Sequence, residues 1–140
     1  MDLAKTISLL HRKMNKGLNT RLMQIGLSNA QSGLLELLYY NGKMTQADLC
    51  EELKLDKSTV AKALDRMEQN GLVTKTVNPD DSRSFLVSPT QKAIETIPMA
   101  QEVLSSWSED VTSGMTKKEK ERFLKLIKQV AERAAMIATN

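Results

Sequence analysis

The sequence predicts a mainly α-helical fold with one small β-hairpin. Over most of the 140 residues, apolar side chains recur at steps of three or four, the spacing of one helical face. Aromatic residues make up only 4%, and Gly and Pro total nine, a composition that disfavours an all-β sandwich. Between about residues 72 and 88 the pattern changes to two short β-prone runs that flank a polar turn.

The first 25 residues are predicted to form one long helix that ends at Gly26. Ser28 is expected to cap a second helix, which ends at the turn signal Asn41-Gly42. The apolar stripe of the first helix consists of Leu3, Ile7, Leu10, Met14, Leu18, Leu22 and Ile25.

Two short helices with a tight join follow. Thr45 is expected to open the third helix, with Asp48 in the position that completes a capping box. Asp56 is expected to cap the fourth helix, residues 57–70, and Gly71 to end it. Because only three residues separate the two helices, this segment is typical of a helix-turn-helix.

The next segment predicts two strands, residues 72–77 and 84–88, joined by a polar turn over residues 78–83. A hairpin directly after a helix-turn-helix is the outline of a winged helix. Two further helices are predicted, one from about Thr90 to Val111 that Pro98 kinks or restarts, and one that Thr116 caps.

The first and last helices carry more apolar surface than a winged helix needs to close its core. The last helix has its stripe at Phe123, Leu124, Ile127, Val130, Ala134 and Ile137. The economical way to bury both stripes is against the same helices of a second copy, so we expect a homodimer. Residues 1–26 and 90–140 would then be dimerisation helices around a winged part at residues 28–89, within one domain spanning residues 1–140.

The fourth helix separates into two faces when its residues are placed about 100° apart. The face predicted to meet the core consists of Val60, Ala63, Leu64 and Met67, and the outer face of Ser58, Thr59, Lys62, Asp65, Arg66 and Gln69. Short hydroxyls allow close approach to a phosphate, and Lys62 and Arg66 are long enough to reach guanine acceptors. A solvated helix has the same pattern, but the position between a short helix and a hairpin favours DNA reading.

Arg83, near the hairpin tip, is expected to enter a minor groove, and Asp81 to pair with an Arg and orient the wing. A weak surface salt bridge is the alternative. Residues 41–89 carry seven Lys/Arg and eight Asp/Glu, so the positive charge of the chain lies elsewhere. We therefore expect modest non-specific DNA binding with a shallow salt dependence.

Residues 27–90 resemble the multiple-antibiotic-resistance regulator (MarR) family. The resemblance is carried by LSNAQ at residues 27–31, TQADL at 45–49, LDKSTVAKALDRMEQNGLV at 55–73 and DSR at 81–83. It implies a homodimeric winged-helix transcriptional regulator, usually a repressor, that binds duplex DNA. Ser58, Thr59 and Lys62 would contact the major groove and Arg83 the minor groove. Small, often phenolic or anionic ligands would bind between the dimerisation helices and the winged part.

Two sets of candidate site residues result. The DNA-contacting set is Thr45, Gln46, Lys57, Ser58, Thr59, Ala61, Lys62, Arg66, Asp81, Arg83 and Ser84. The effector set lies on the first helix and consists of His11, Arg12 and Met14.

Other classes of function are disfavoured. The chain has no glycine-rich phosphate loop or nucleophile elbow, and His11 and Cys50 are its only His and Cys, so we expect neither catalysis nor a metal or cofactor. Cys50 is expected to be small core packing. With no apolar run long enough to span a membrane, we expect a cytoplasmic protein. Two alternatives stay open: a winged helix that contacts another protein, and a DNA-binding regulator without an effector.

Overall fold

The computed structural model describes residues 2–138, and this part of the chain is mainly α-helical with a small antiparallel sheet. Its helices are α1 (Leu3–Leu22), α2 (Asn29–Asn41), α3 (Gln46–Leu53), α4 (Lys57–Gln69), α5 (Gln91–Val111) and α6 (Lys117–Ala138), with a short 3₁₀ helix at Met23–Ile25. Its strands are β1 (Met44–Thr45), β2 (Val73–Asn78) and β3 (Asp81–Pro89). The predicted fold class is confirmed.

The caps confirm the predicted starts of α2, α3 and α4, whereas the first helix, predicted to continue to residue 25, changes at Leu22 into the 3₁₀ helix Met23–Ile25. Ser28 and Gln31 form a reciprocal capping box at the start of α2, with hydrogen bonds of 3.2 and 3.1 Å. Thr45 and Asp48 form a second box at the start of α3. The chain leaves α2 at Gly42, whose φ of +73° explains why glycine stands there.

The core of the winged part is built from α2, α3, α4 and the sheet. Its fully buried large side chains include Leu34, Leu35, Leu38, Leu49, Val60, Leu64, Met67, Val73 and Val87. Three of the four α4 residues predicted to face the core are completely buried, and Ala63 is half-buried. Burial of this face leaves the opposite face of α4 exposed.

The sheet has the order β1-β3-β2, and both neighbouring pairs are antiparallel. Strand β1 was not predicted, since two residues are too few to show a periodicity. It pairs Met44 with Val87 and Thr45 with Leu86, which joins the start of α3 to the hairpin. The sheet therefore holds α3 and the wing together.

The hairpin turn is shorter than predicted, so the prediction of a turn over residues 78–83 was wrong. Asn78 pairs with Asp81, and only Pro79 and Asp80 lie between the strands. The Asn78 side chain stabilises this turn, since its Oδ1 accepts from the Asp80 N–H at 3.0 Å and its Nδ2 donates to Ser84 Oγ at 3.1 Å.

The chain divides into two compact units between Ser105 and Ser106. In the first unit, α5 begins beside Thr90, whose hydroxyl accepts from the Ala93 N–H. The helix runs continuously through Pro98, so the predicted alternative of a helix that restarts at Pro98 is excluded.

In the second unit, Thr116 caps α6 as predicted, with reciprocal hydrogen bonds to Glu119.

The two long apolar stripes differ in burial. On α1 the stripe is buried at Leu18 and Leu22 but exposed at Leu3, Ile7 and Leu10. On α6 none of the described residues is buried. Its stripe residues are exposed at Phe123, Leu124, Ile127, Val130, Ala134 and Ile137. Each unit therefore presents apolar surface of its own to solvent.

No helix within residues 2–138 has both the length and the hydropathy that a membrane crossing requires.

Candidate nucleic-acid interface

Helix α4 contributes six of the eleven predicted contact residues, and five of these six are exposed. Lys57, Ser58, Thr59, Lys62 and Arg66 are all exposed, whereas Ala61 is half-buried. Ser58 and Thr59 lie in the first turn beside Lys57, and Lys62 and Arg66 lie further along the helix. The short hydroxyls near the N-terminus allow the helix backbone to approach a ligand closely. The long cations further along the helix can reach groups of the ligand that lie farther from the backbone.

The α4 N-terminus is held by Asp56. Its Oδ1 accepts from the Thr59 N–H at 2.6 Å. The pKa of Asp56 is lowered first by this backbone hydrogen bond, then by the Thr59 hydroxyl, with a smaller contribution from the charge of Lys62. The cap is therefore ionised at neutral pH, and Lys62 lies close enough to offset part of its charge.

Asp65 has an ion-pair partner that the sequence did not indicate. It lies on the exposed face of α4, but its Oδ1 is 2.7 Å from Lys75 Nζ on β2. Lys75 is only 19% exposed, against 66% for Asp65. Ten residues separate the pair, and no local pattern in the sequence indicated it. The ion pair joins the α4 face to the wing and neutralises a carboxylate between Lys62 and Arg66.

The wing exposes Arg83 and orients it through Asp81, the pairing that the sequence predicted. Asp81 Oδ1 accepts from the Arg83 backbone N–H at 3.0 Å and from its Nε at 3.2 Å. Ser84 Oγ donates to the Asp81 carbonyl at 3.2 Å. The Arg83 side chain nevertheless stays 90% exposed. The hydrogen bond at Nε thus orients the Arg83 guanidinium, while its two terminal nitrogens stay accessible.

Two concave surfaces collect most of the candidate residues. One, which we call the wing cavity, has a volume of about 820 Å³ and includes Thr45, Gln46 and Lys57 on the helical side and Asp81, Arg83 and Ser84 on the wing. The other, of about 470 Å³, includes Lys62 and Arg66. Eight of the eleven predicted contact residues therefore line one of these two surfaces.

The wing cavity also contains residues that the sequence did not single out as contacts. These are Ala47, Cys50, Glu51, Asn78 and Phe85. Cys50 is half-buried and lines this cavity, so the prediction that it is core packing was wrong. It follows Leu49, which is fully buried, and the next position on a helix turns away from the core by about 100°.

The predicted effector residues all lie on α1. His11 and Arg12 are exposed and Met14 is half-buried. His11 Nε2 is 3.1 Å from Asn15 Nδ2, and an Arg12 terminal nitrogen donates to Ser8 Oγ at 2.9 Å. Asn15 in turn accepts from the Asn29 side chain at 2.8 Å, which connects this part of α1 to the start of α2.

The chain has relatives among transcriptional regulators. The profile of the MarR family matches residues 25–84. The chain is 26% identical over 129 residues to YybA, an uncharacterized helix-turn-helix transcriptional regulator of Bacillus subtilis, across 92% of this chain and 86% of the relative.

Solved structures of the same fold cover nearly the whole chain. A MarR transcriptional regulator from Methanosarcina mazei has a TM-score of 0.88 at 25% identity, covering 96% of this chain and 97% of that one. A cysteine-to-serine variant of MarR from E. coli, solved in complex with operator DNA, has a TM-score of 0.80 at 24% identity. The comparison covers 91% of this chain and 92% of that one. The named relatives are regulators, in agreement with the prediction of a protein that is not an enzyme.

The Asp56 cap predicts a pH-dependent contribution to stability. Because its pKa is lowered on folding, its contribution is full at neutral pH and is lost as the pH falls through the folded-state pKa, below the ordinary value of 3.8. Asp56→Ala should lower the melting temperature at pH 7, and the difference from wild type should shrink below pH about 4. Asp56→Asn, which keeps a capping acceptor without the charge, is the control. A difference for Asp56→Ala that is the same at pH 7 and pH 3 would contradict this account.

Proposed function

We propose that this chain, which belongs to the MarR family of winged-helix transcriptional regulators, is a homodimeric repressor that binds a specific operator sequence. The observation that carries the proposal is the exposed face of α4, with Ser58, Thr59, Lys62 and Arg66, next to a wing that exposes Arg83. We also propose that it is cytoplasmic, as a repressor that binds chromosomal DNA would be.

In the proposed complex α4 lies in the major groove, which is wide enough to admit a helix. Ser58 and Thr59, in its first turn, approach the backbone or base edges, and Lys62 and Arg66 reach acceptors deeper in the groove. Arg83 enters the neighbouring minor groove, where a narrow groove has a stronger negative potential. Thr45 and Gln46, at the start of α3, lie on the same side as the wing cavity and contact the phosphate backbone.

The local charge supports this arrangement despite the excess of one negative charge in residues 41–89. Three carboxylates near the proposed interface have a cationic neighbour. Asp65 pairs with Lys75, Asp81 with Arg83, and Asp56 is stabilised by Lys62. Since the repulsion from these acids is offset locally, a few cations can provide binding. Few phosphate contacts imply a shallow salt dependence.

The contact assignment makes a direct prediction for DNA binding. Lys62→Ala and Arg83→Ala should each weaken binding to a selected operator duplex about fivefold or more, since a base contact is worth about 1–3 kcal/mol. Lys128→Ala, an exposed lysine on α6, is the matched control and should leave the affinity unchanged. Fluorescence anisotropy over a salt series measures the affinity and its salt slope.

If neither substitution changes the affinity, the contact assignment fails. If the folded wild-type dimer binds no duplex at all, the alternative of a winged helix that contacts another protein is favoured, in keeping with the negative charge of residues 41–89.

The homodimer is proposed from the exposed apolar stripes. On α1 these are Leu3, Ile7 and Leu10, between 40% and 65% exposed. On α6, Leu126 and Val130 line an open groove of about 640 Å³ that also includes Ile137. Exposed stripes of this length are unfavourable in water, and burial against a second copy removes them from solvent.

A charge in the α6 groove should break the dimer. Val130→Glu would place an unpaired carboxylate in the proposed interface, at a cost of at least about 3 kcal/mol. Lys128→Glu, at an exposed position of α6 that does not line the groove, also introduces a carboxylate and is the control. Analytical ultracentrifugation at micromolar concentration should find a monomer for the first variant and a dimer for the second. A monomeric wild type would contradict the proposal.

A small anionic effector is proposed to bind beside α1. Arg12 supplies an exposed cation, His11 a polar ring and Met14 an adaptable apolar surface. A panel of aromatic acids in a thermal-shift assay should contain a compound that raises the melting temperature, because a ligand of the folded state stabilises it. The increase should be lost in Arg12→Ala and kept in Lys13→Ala. If no compound stabilises the protein, the alternative of a regulator without an effector is favoured.

A further inference from the structure

We propose that three asparagines, Asn15 and Asn19 on α1 and Asn29 on α2, form a clamp that fixes the angle of α1 against the winged part. In the proposed homodimer this angle sets the distance between the two copies of α4, so the three asparagines are positioning residues for DNA reading. The fixed angle is a property of one chain, whereas its effect on DNA binding rests on the proposed function.

The clamp joins two residues of α1 to the first residue of α2. Asn15 and Asn19 lie one turn apart on the same face of α1. Asn19 Oδ1 accepts from the Asn29 backbone N–H at 2.7 Å, and Asn15 Oδ1 accepts from Asn29 Nδ2 at 2.8 Å. All three residues are half-buried, so water competes for these bonds less than it does at an exposed position. Because hydrogen bonds are directional, two bonds to different groups of Asn29 fix both its position and its orientation.

The groups around the clamp hold its members in one arrangement. Asn15 Nδ2 is 3.1 Å from His11 Nε2, and Asn15 Oδ1 already accepts from Asn29, so the Asn15 amide is oriented at both ends. The start of α2 is held separately by the capping box of Ser28 and Gln31. That box stabilises α2 alone, whereas the asparagine bonds join α2 to α1.

The part of α1 before Asn15 extends away from the winged part. Leu18 and Leu22 are buried, but the apolar stripe within the first ten residues of the chain is exposed. In the described structure the side-chain hydrogen bonds of residues 2–14 stay within α1 and its N-cap. Asn15 is therefore the outermost hydrogen-bonded contact between α1 and the winged part. Apolar burial at Leu18 and Leu22 has no preferred direction, so the clamp determines the angle.

A small change in this angle becomes a large displacement at the far end of α1. From Asn15 to Leu3 the helix rises about 18 Å, so a change of about 10° moves its end by about 3 Å. This displacement is close to the rise of one base pair of DNA, about 3.4 Å. The exposed stripe in this part of α1 is the proposed contact with the second copy. The clamp therefore acts on the separation of the two α4 helices at the scale of one base pair.

The separation of the two α4 helices can be measured without DNA. A spin label on Gln69→Cys, in a Cys50→Ser background, reports this distance by pulsed electron paramagnetic resonance, because Gln69 is an exposed residue of α4. Asn15→Ala and Asn29→Ala should each broaden the distance distribution by about 3 Å or more, the displacement that about 10° of freedom allows.

The matched control is Thr20→Ala, which removes an exposed hydroxyl that donates to the Lys16 carbonyl within α1. It should leave the width of the distribution unchanged. The double variant Asn15→Ala/Asn29→Ala should broaden the distribution no more than either single variant, because both substitutions remove the same bond. All of these variants keep the capping box of α2, and circular dichroism checks that each is folded.

A second arm measures the effect on DNA reading. The selected operator duplex is compared with duplexes that have one base pair added or removed at the centre of the inverted repeat. The ratio of the affinities for the selected and the altered duplexes should fall about threefold in Asn15→Ala, the size expected from one lost hydrogen bond, and stay unchanged in Thr20→Ala. A role in stability alone would lower the melting temperature without changing this ratio.

The outcomes separate the clamp from the proposed function. Equal widths in wild type, Asn15→Ala and Asn29→Ala, or equal broadening in Thr20→Ala, would overturn the clamp and leave the proposed dimer and DNA binding intact. Broadening with an unchanged affinity ratio would overturn the effect on spacing. A wild type that has a narrow distance distribution but binds no duplex would count against the DNA-binding proposal and not against the clamp. A monomeric wild type would overturn the proposed dimer and the effect on spacing together.

Discussion

The structure of the winged part depends on the burial of one face of α4. Val60, Leu64 and Met67 are completely buried, and each such side chain stabilises the fold by about 1.5–3 kcal/mol. Because a helix has a fixed period, burying these three residues directs Ser58, Lys62 and Arg66 away from the core. The sheet then places the wing at the side of α4, since β2 follows α4 after a turn at Gly71.

Electrostatic pairing determines what that exposed face can bind. The winged part has no positive excess, so the sum of its charges gives no reason to expect affinity for DNA. The arrangement of the charges does give a reason to expect affinity for DNA, because Lys75, Arg83 and Lys62 offset the acids nearest the proposed contacts. An interface of this kind relies on placement more than on charge density. Such an interface should bind its specific sequence well and bind other DNA only weakly.

Local sequence patterns predicted the helices, their caps and the two faces of α4, because each of these depends on residues within about one turn. Ser28, Thr45, Asp56 and Thr116 were all identified as caps from their neighbours alone. Features that depend on distant residues were missed: β1, whose partner lies more than forty residues away, and the Asp65–Lys75 pair, whose members lie on different elements. The prediction for Cys50 was wrong because its apolar neighbours Leu49 and Leu53 suggested a core position. The local sequence does not show that Cys50 lies in the cavity between α3 and the wing.

Selection of binding sites from a random duplex pool at about 0.1 M salt, where exposed phosphate contacts are partly screened, tests whether α4 and the wing read a DNA sequence. We predict enrichment of an inverted repeat with half-sites about one helical turn apart, as a dimer with two copies of α4 requires. Failure of folded, dimeric protein to enrich any sequence would contradict a sequence-reading role for α4 and the wing.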